Sequence, residues 1–222
     1  MTTNLYLIRH GEAHSNVERV VGGIKGDLGL TERGVQQAQA LAERLRGGEI
    51  TPDVLYASTL PRARQTAEYV AEALGMPITW DDDLHELRPG QADGLHADEA
   101  RERFEGFNRF LVEAYMPIAP EGESWGSFQM RAAAALERLT TRHEGQTIAV
   151  VAHGGIIEVS FLHFLELGPQ ARQRVAFHAR NTAITHWQHR ESSSGRVEWQ
   201  LIVHNDHRHL VALDAADAAR QS

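Results

Sequence analysis

The chain has 222 residues, 42% of them hydrophobic and none of them cysteine. That is enough apolar mass for one sizeable core, with no material for disulfides, thiol catalysis or a Cys-based zinc site. The formal net charge of −8 removes the basic field a general nucleic-acid binder needs, and no apolar run approaches the roughly 20 residues of a membrane span. A cytoplasmic protein without nucleic-acid or membrane partners is expected.

The first predicted strand covers residues 4–9 and ends in Arg9, His10 and Gly11, where glycine lets the chain turn without a Cβ clash. A glycine-containing loop follows through Gly22, Gly23, Gly26 and Gly29. Thr31 then reads as a helix N-cap, with Val35, Ala38, Leu41, Ala42 and Leu45 at helical spacing and Gly47–Gly48 as the stop. Val54–Ala57 is a second strand, and Pro61 suits the first turn of the helix that begins near Ser58 or Thr59. Arg62 therefore falls in that first turn, just past a strand end, and Gly75 closes the helix.

Residues 77–81 read as another strand. The segment from Leu84 to Gly94 reads as loop, and two helices are predicted near 96–113 and 124–143. Thr147–Ala152 is the clearest buried strand, and a continuous apolar run of this kind suits a central parallel strand covered on both faces. His153, Gly154 and Gly155 follow it into a helix. Two last strands, Thr182–His189 and Val197–His204, are close enough in sequence to pair as an antiparallel hairpin. The alanine-rich tail 215–222 reads as flexible.

Three strand ends thus carry Arg9 with His10, Ser58 with Arg62, and His153 with Gly154. In an open parallel sheet such ends line one crevice, and helix N-termini there add N–H donors for an anion. The residue types describe a pocket for phosphate or a similar oxyanion.

The ordered blocks Arg9-His10-Gly11-Glu12 with Asn16, Gly29 to Gly34, Ser58 to Ala67, Leu84 to Gly94, Pro120 to Ser124 and Val151 to Gly155 resemble the histidine phosphatase superfamily, also called phosphoglycerate mutase-like. The resemblance implies an α/β fold: a three-layer α/β/α sandwich with a mostly parallel central sheet, one antiparallel edge strand, and a helical and loop cap over the C-terminal strand ends. It places a single domain over 1–214, with 84–124 as the cap-like insertion. It also implies His10 as a nucleophile that becomes phosphohistidine. Arg9, Arg62 and His153 would hold the phosphate oxygens, with Asn16 and Gly154 as further contacts, and Glu86 would be the proton donor.

Neutral imidazole is a competent nucleophile, and cations around a transferring phosphoryl group supply much of its stabilisation, so no metal and no cofactor are expected. Glu12 reads as a residue that orients its loop, and His14 and His85 as possible shapers of the substrate pocket. His204, His207 and His209 invite a metal reading, but the resemblance accounts for that segment as a closing strand. Glu99, Glu102, Glu105, Glu113, Glu121 and Glu123 give the cap an acidic composition, which disfavours a bisphosphate and points to a phosphatase of a small phosphomonoester. Phosphoglycerate mutase and a non-catalytic phosphate-binding module are the alternatives, and a homodimer is compatible with the sequence.

Overall fold

A computed structural model describes residues 1–191 and 195–221. In chain order the elements are β1 (Thr3–Arg9), α1 (His14–Val17), α2 (Glu32–Arg46), β2 (Val54–Ala57), α3 (Pro61–Leu74), β3 (Ile78–Trp80), α4 (Ala97–Arg103), α5 (Glu105–Arg109), α6 (Trp125–Arg142), β4 (Thr147–Ala152), α7 (Gly154–Phe164), β5 (Ile184–Glu191), β6 (Val197–Asp206) and α8 (Val211–Gln221). The strands form one sheet in the order β3-β2-β4-β1-β5-β6. β1 to β4 run parallel, while β5 is antiparallel to both β1 and β6. The antiparallel edge is therefore a hairpin, with the reversed strand one place in from the rim.

Strand alternation sends successive side chains to opposite faces, and this builds the three layers. Leu5 and Leu7 of β1 and Ile148, Val150 and Ala152 of β4 pack with α6 and α7 through Phe128, Leu136, Ile157 and Phe161. Ile8, Ala149 and Val151 face the other way, onto Leu41 and Leu45 of α2 and Ala67 and Val70 of α3. Each fully buried Leu, Ile or Val contributes about 1.5–3 kcal/mol, so β1 and β4 anchor both cores.

Helix ends follow the local chemistry. The Thr31 side chain accepts from the Gly34 N–H at the start of α2, and Gly75 ends α3 at φ 64°, a left-handed cap that glycine adopts without strain. Gly34 is needed for a second reason: a Cβ there would overlap the Glu12 carbonyl, so α2 packs directly on the loop after β1.

Two expectations need correction. The single helix predicted over 96–113 is broken into α4 and α5 at Phe104, which is extended at φ −126°. The break lets Phe104 and Phe107 turn onto Ala92, Ala100 and Ala119, and lets Gly106 approach the Pro117 carbonyl where a Cβ would not fit. The second concerns the tail, expected to be flexible, which is helical through Gln221. Arg33 pairs with Asp214 and Asp217, and Arg180 with Asp214, tying α8 to the body. The middle of the polar β5–β6 connection, Ser192 to Ser194, and Ser222 of the tail lie outside the described residues. No helix among those described is long and apolar enough to cross a membrane.

Candidate active site

Sheet register places the first two site histidines side by side. Arg9 is the parallel partner of Ala152, so the next residues, His10 and His153, leave adjacent strands at the same level, and the His10 N–H donates to the Ala152 carbonyl at 2.9 Å. β2 pairs Ala57 with Val151, which brings Ser58 alongside. The imidazoles of His10 and His153 lie with ring centroids 5.2 Å apart. Arg62 comes from the first turn of α3, and its Nε donates to His10 Nε2 at 3.1 Å. His10, Arg62 and His153 are 3%, 3% and 0% exposed, so these polar groups interact where water does not screen them.

The hydrogen bonds fix the tautomer of His10. Its Nδ1 lies 2.6 Å from the Gly11 carbonyl, which can only accept, so Nδ1 carries the proton. Nε2 is then the lone-pair nitrogen, consistent with its acceptance from Arg62. Burial first, then the positive charges of Arg62 and Arg9, hold the His10 pKa well below its ordinary value. His153 is depressed for the same leading reason, with Arg62 and His10 adding to it.

Around this nucleophile-like nitrogen, two buried polar atoms have no hydrogen-bond partner among the described residues: Arg9 Nε and His153 Nδ1. Arg9 is otherwise held by donation from Nη1 to the Ala179 carbonyl at 2.6 Å, and its Nε lies 3.6 Å from where a Cβ would stand on Gly154. His153 Nε2 meets Ser58 Oγ at 2.7 Å. If the Ser58 hydroxyl donates there, Nδ1–H is left to point at an incoming acceptor. Buried polar atoms are ordinarily paired, and two orphans beside His10 mark a place for an anionic group.

Glu86 reaches the same place from the loop after β3. Its carboxylate accepts from the Gly155 N–H at 3.0 Å and from the Leu87 N–H at 3.0 Å, so it sits at the N-terminus of α7. A Cβ on Gly155 would overlap it, which gives that glycine its reason. Arg9, Glu86, Gly154 and Gly155 line a cavity of about 550 Å³, whose far walls come from Phe107, Phe110 and Ile118 of the cap segment and from Trp125. The expected cap therefore does overhang the strand ends.

Asn16 is exposed, and its side-chain oxygen accepts from the Ala13 N–H at 3.1 Å and from Asn181 Nδ2 at 3.4 Å, which links it to the Asn181 that also holds the His10 carbonyl. Glu12 accepts from the Thr31 hydroxyl at 2.8 Å, the loop-orienting position expected of it. His85 lines a smaller cavity of about 210 Å³ on the other side of Glu86, whereas His14 pairs with Glu18 on the surface. His204, His207 and His209 each have separate partners, and no group of three metal-ligating side chains occurs among the described residues.

Several residues that organise the site went unread in the sequence. Asp27 is fully buried and takes Arg62 Nη1 at 2.7 Å, so it clamps the arginine that meets His10. Its signal was available: a buried arginine requires a carboxylate, and Asp27 is the acid of the glycine-rich loop. Asn181 donates to the His10 carbonyl at 3.1 Å and Thr66 accepts from the Gly11 N–H at 3.0 Å, long-range contacts with no local signature.

A model of the histidine phosphatase superfamily (branch 1) matches residues 5–202. The chain belongs to the histidine phosphatase superfamily. Among curated relatives, this superfamily member is 35% identical to the Enterobacter sp. (strain 638) protein named "Probable phosphoglycerate mutase GpmB", over 94% of this chain and 95% of that one. Among solved structures it is similar to the phosphoserine phosphatase of Entamoeba histolytica in complex with 3-phosphoglyceric acid, at TM-score 0.78 and 30% identity, covering 94% of this chain and 100% of the other. It is also similar to YhfR of Bacillus stearothermophilus, at TM-score 0.79 and 32% identity, covering 94% and 99%.

The depressed histidines of this superfamily member carry a pH consequence. An unfolded histidine titrates near 6.5, whereas His209 in the fold is lowered to about 4, chiefly by burial with Arg44 adding to it. His10 and His153 are lowered as well. Between about pH 6.5 and 4 the unfolded chain binds protons that the native chain refuses, so their stabilising effect is complete above that window and lost as pH falls through it. Urea midpoints are expected to drop across this range, and His209→Asn to flatten part of the drop. A midpoint that rose on acidification would contradict the burial-driven shifts.

Proposed function

We propose that the protein hydrolyses a small phosphomonoester through a phosphohistidine formed on His10, without a metal or cofactor. The observation that carries this reading is the pair of unpartnered donors, Arg9 Nε and His153 Nδ1, beside a buried imidazole whose Nε2 is deprotonated. His10 Nε2 attacks phosphorus, and the ester oxygen leaves with a proton from Glu86. Arg62 Nε exchanges its His10 bond for a phosphate oxygen. Water, deprotonated by Glu86, then cleaves the phosphorus–nitrogen bond and releases inorganic phosphate. Splitting one displacement into two and surrounding the phosphoryl oxygens with fixed donors both lower the barrier.

Hydrolysis rather than transfer is supported by the likeness to the phosphoserine phosphatase of Entamoeba histolytica. The acidic composition of the cap lends less support than expected: Glu99, Glu105 and Glu113 pair with Arg103 and Arg109 on the same segment, and Glu123 pairs with Arg131. The second reading, phosphoglycerate mutase, is favoured by the similarity to the GpmB relatives, which are named probable phosphoglycerate mutases.

A phosphomonoester panel with wild type and Glu86→Gln separates the readings. The expected result is phosphate release matching ester consumption. Glu86→Gln should be slowed about 10²–10⁴-fold on alkyl esters and far less on p-nitrophenyl phosphate, whose leaving group needs no acid. Movement of the phosphoryl group between the hydroxyls of phosphoglycerate with little phosphate release would instead establish the mutase. Phosphate binding with no turnover on any ester would indicate a binding module.

A further inference from the structure

The wall of the main cavity opposite the reacting end holds a charged pair that the proposed chemistry does not use. Glu158 lies on α7 four residues beyond Gly154, about 6 Å along the helix axis at 1.5 Å per residue. Arg172, which follows α7, places its Nε 3.2 Å from each Glu158 carboxylate oxygen and its guanidinium carbon 3.8 Å from the centre of the Trp125 ring. Its Nη1 is buried and has no partner among the described residues. Arg172, Glu158 and Trp125 all line the cavity, together with Phe107, Phe110 and Phe177.

Stacking on Trp125 and the ion pair through Nε hold the guanidinium plane in place, leaving Nη1 as a fixed donor without a partner among the described residues. A guanidinium N–H held in this way suits a carboxylate oxygen. Because Glu158 already balances the charge of Arg172, the pair suits a single added negative charge better than a phosphate dianion. The aromatic side chains around it supply apolar area for the body of the molecule between its two polar ends.

We propose that Arg172 is the specificity-determining residue of this cavity, and that the substrate's leaving group carries a carboxylate on an apolar or aromatic body. This rests on the phosphatase reading above, which supplies the position of the phosphoryl end. Arg172 acts in binding and takes no part in the bond-breaking steps.

The test compares 4-carboxymethylphenyl phosphate with 4-ethylphenyl phosphate as substrates, and the corresponding benzylphosphonates as ligands in calorimetry. Wild type is expected to favour the carboxylated member of each pair by about tenfold or more, mainly in KM, the scale of one charge-assisted hydrogen-bonded contact. Arg172→Met brings that ratio near one, Arg172→Lys keeps part of it, and Glu158→Gln, which removes the competing negative charge, raises it. A wild-type ratio near one in both assays, or a ratio unmoved by Arg172→Met and Glu158→Gln, overturns the proposal. If neither ester is hydrolysed but the phosphonate ratio behaves as stated, the phosphatase reading fails and Arg172 recognition stands. If neither phosphonate binds, the recognition proposal fails with it.

Discussion

His10→Ala is expected to abolish the proposed hydrolysis, lowering kcat by on the order of 10⁴-fold or more while leaving a folded protein, because it removes the atom proposed to accept the phosphoryl group. No neighbour can substitute. His153 is committed through Nε2 to Ser58, and Arg62 has no lone pair to offer. Steady-state phosphate release beside thermal melts checks this, with the melts showing that lost turnover is not lost structure. A folded His10→Ala protein at full turnover would remove His10 from the chemistry.

Asp27→Ala is expected to have the second-largest effect, and it acts on both stability and activity. Arg62 and Asp27 form a pair whose side chains are 4% and 0% exposed. Removing the carboxylate strands a guanidinium where water cannot solvate it, at a cost of about 3–5 kcal/mol. Asp27 also accepts from the Gly29 and Arg62 N–H groups, so the glycine-rich loop loosens with it. Once unclamped, Arg62 would no longer hold the fixed position from which it is proposed to address the phosphoryl oxygens, and kcat/KM should fall by about 10²-fold, the scale of one lost preorganised donor. Inorganic phosphate should raise the melting temperature of Asp27→Ala by more than that of wild type, since it offers the stranded cation a partner. Equal shifts would place the role of Asp27 in the loop rather than on Arg62.

The ends of the buried strands were the legible part of the site. Apolar runs such as Thr147–Ala152 declare themselves because both faces of a central parallel strand are covered, so the polar residue that ends the run stands out. His10 and His153 were therefore readable as neighbours in kind before their register was known. Thr31 and Gly75 were readable because capping is local chemistry. The break at Phe104 was not, since it depends on how closely Gly106 meets Pro117, a tertiary contact that helical periodicity does not encode. Asn181 was missed for a related reason, its partner His10 being distant in sequence, and Asp27 because its signal rests on the burial of Arg62, which only the fold shows. Arg33 reaches across to Asp217 within the alanine-rich tail and, with Arg180, to Asp214 just before it, contacts distant in sequence that the composition of the tail does not announce.

In the proposed reaction the phosphoryl group passes through the His10 ring. Wild-type protein mixed with a ³²P-labelled phosphomonoester and quenched within milliseconds in alkali should carry label that is stable to base, released by acid, and located by peptide mapping on His10. Label on a different residue, or turnover with no label trapped even when phosphoenzyme hydrolysis is slowed by Glu86→Gln, would contradict it.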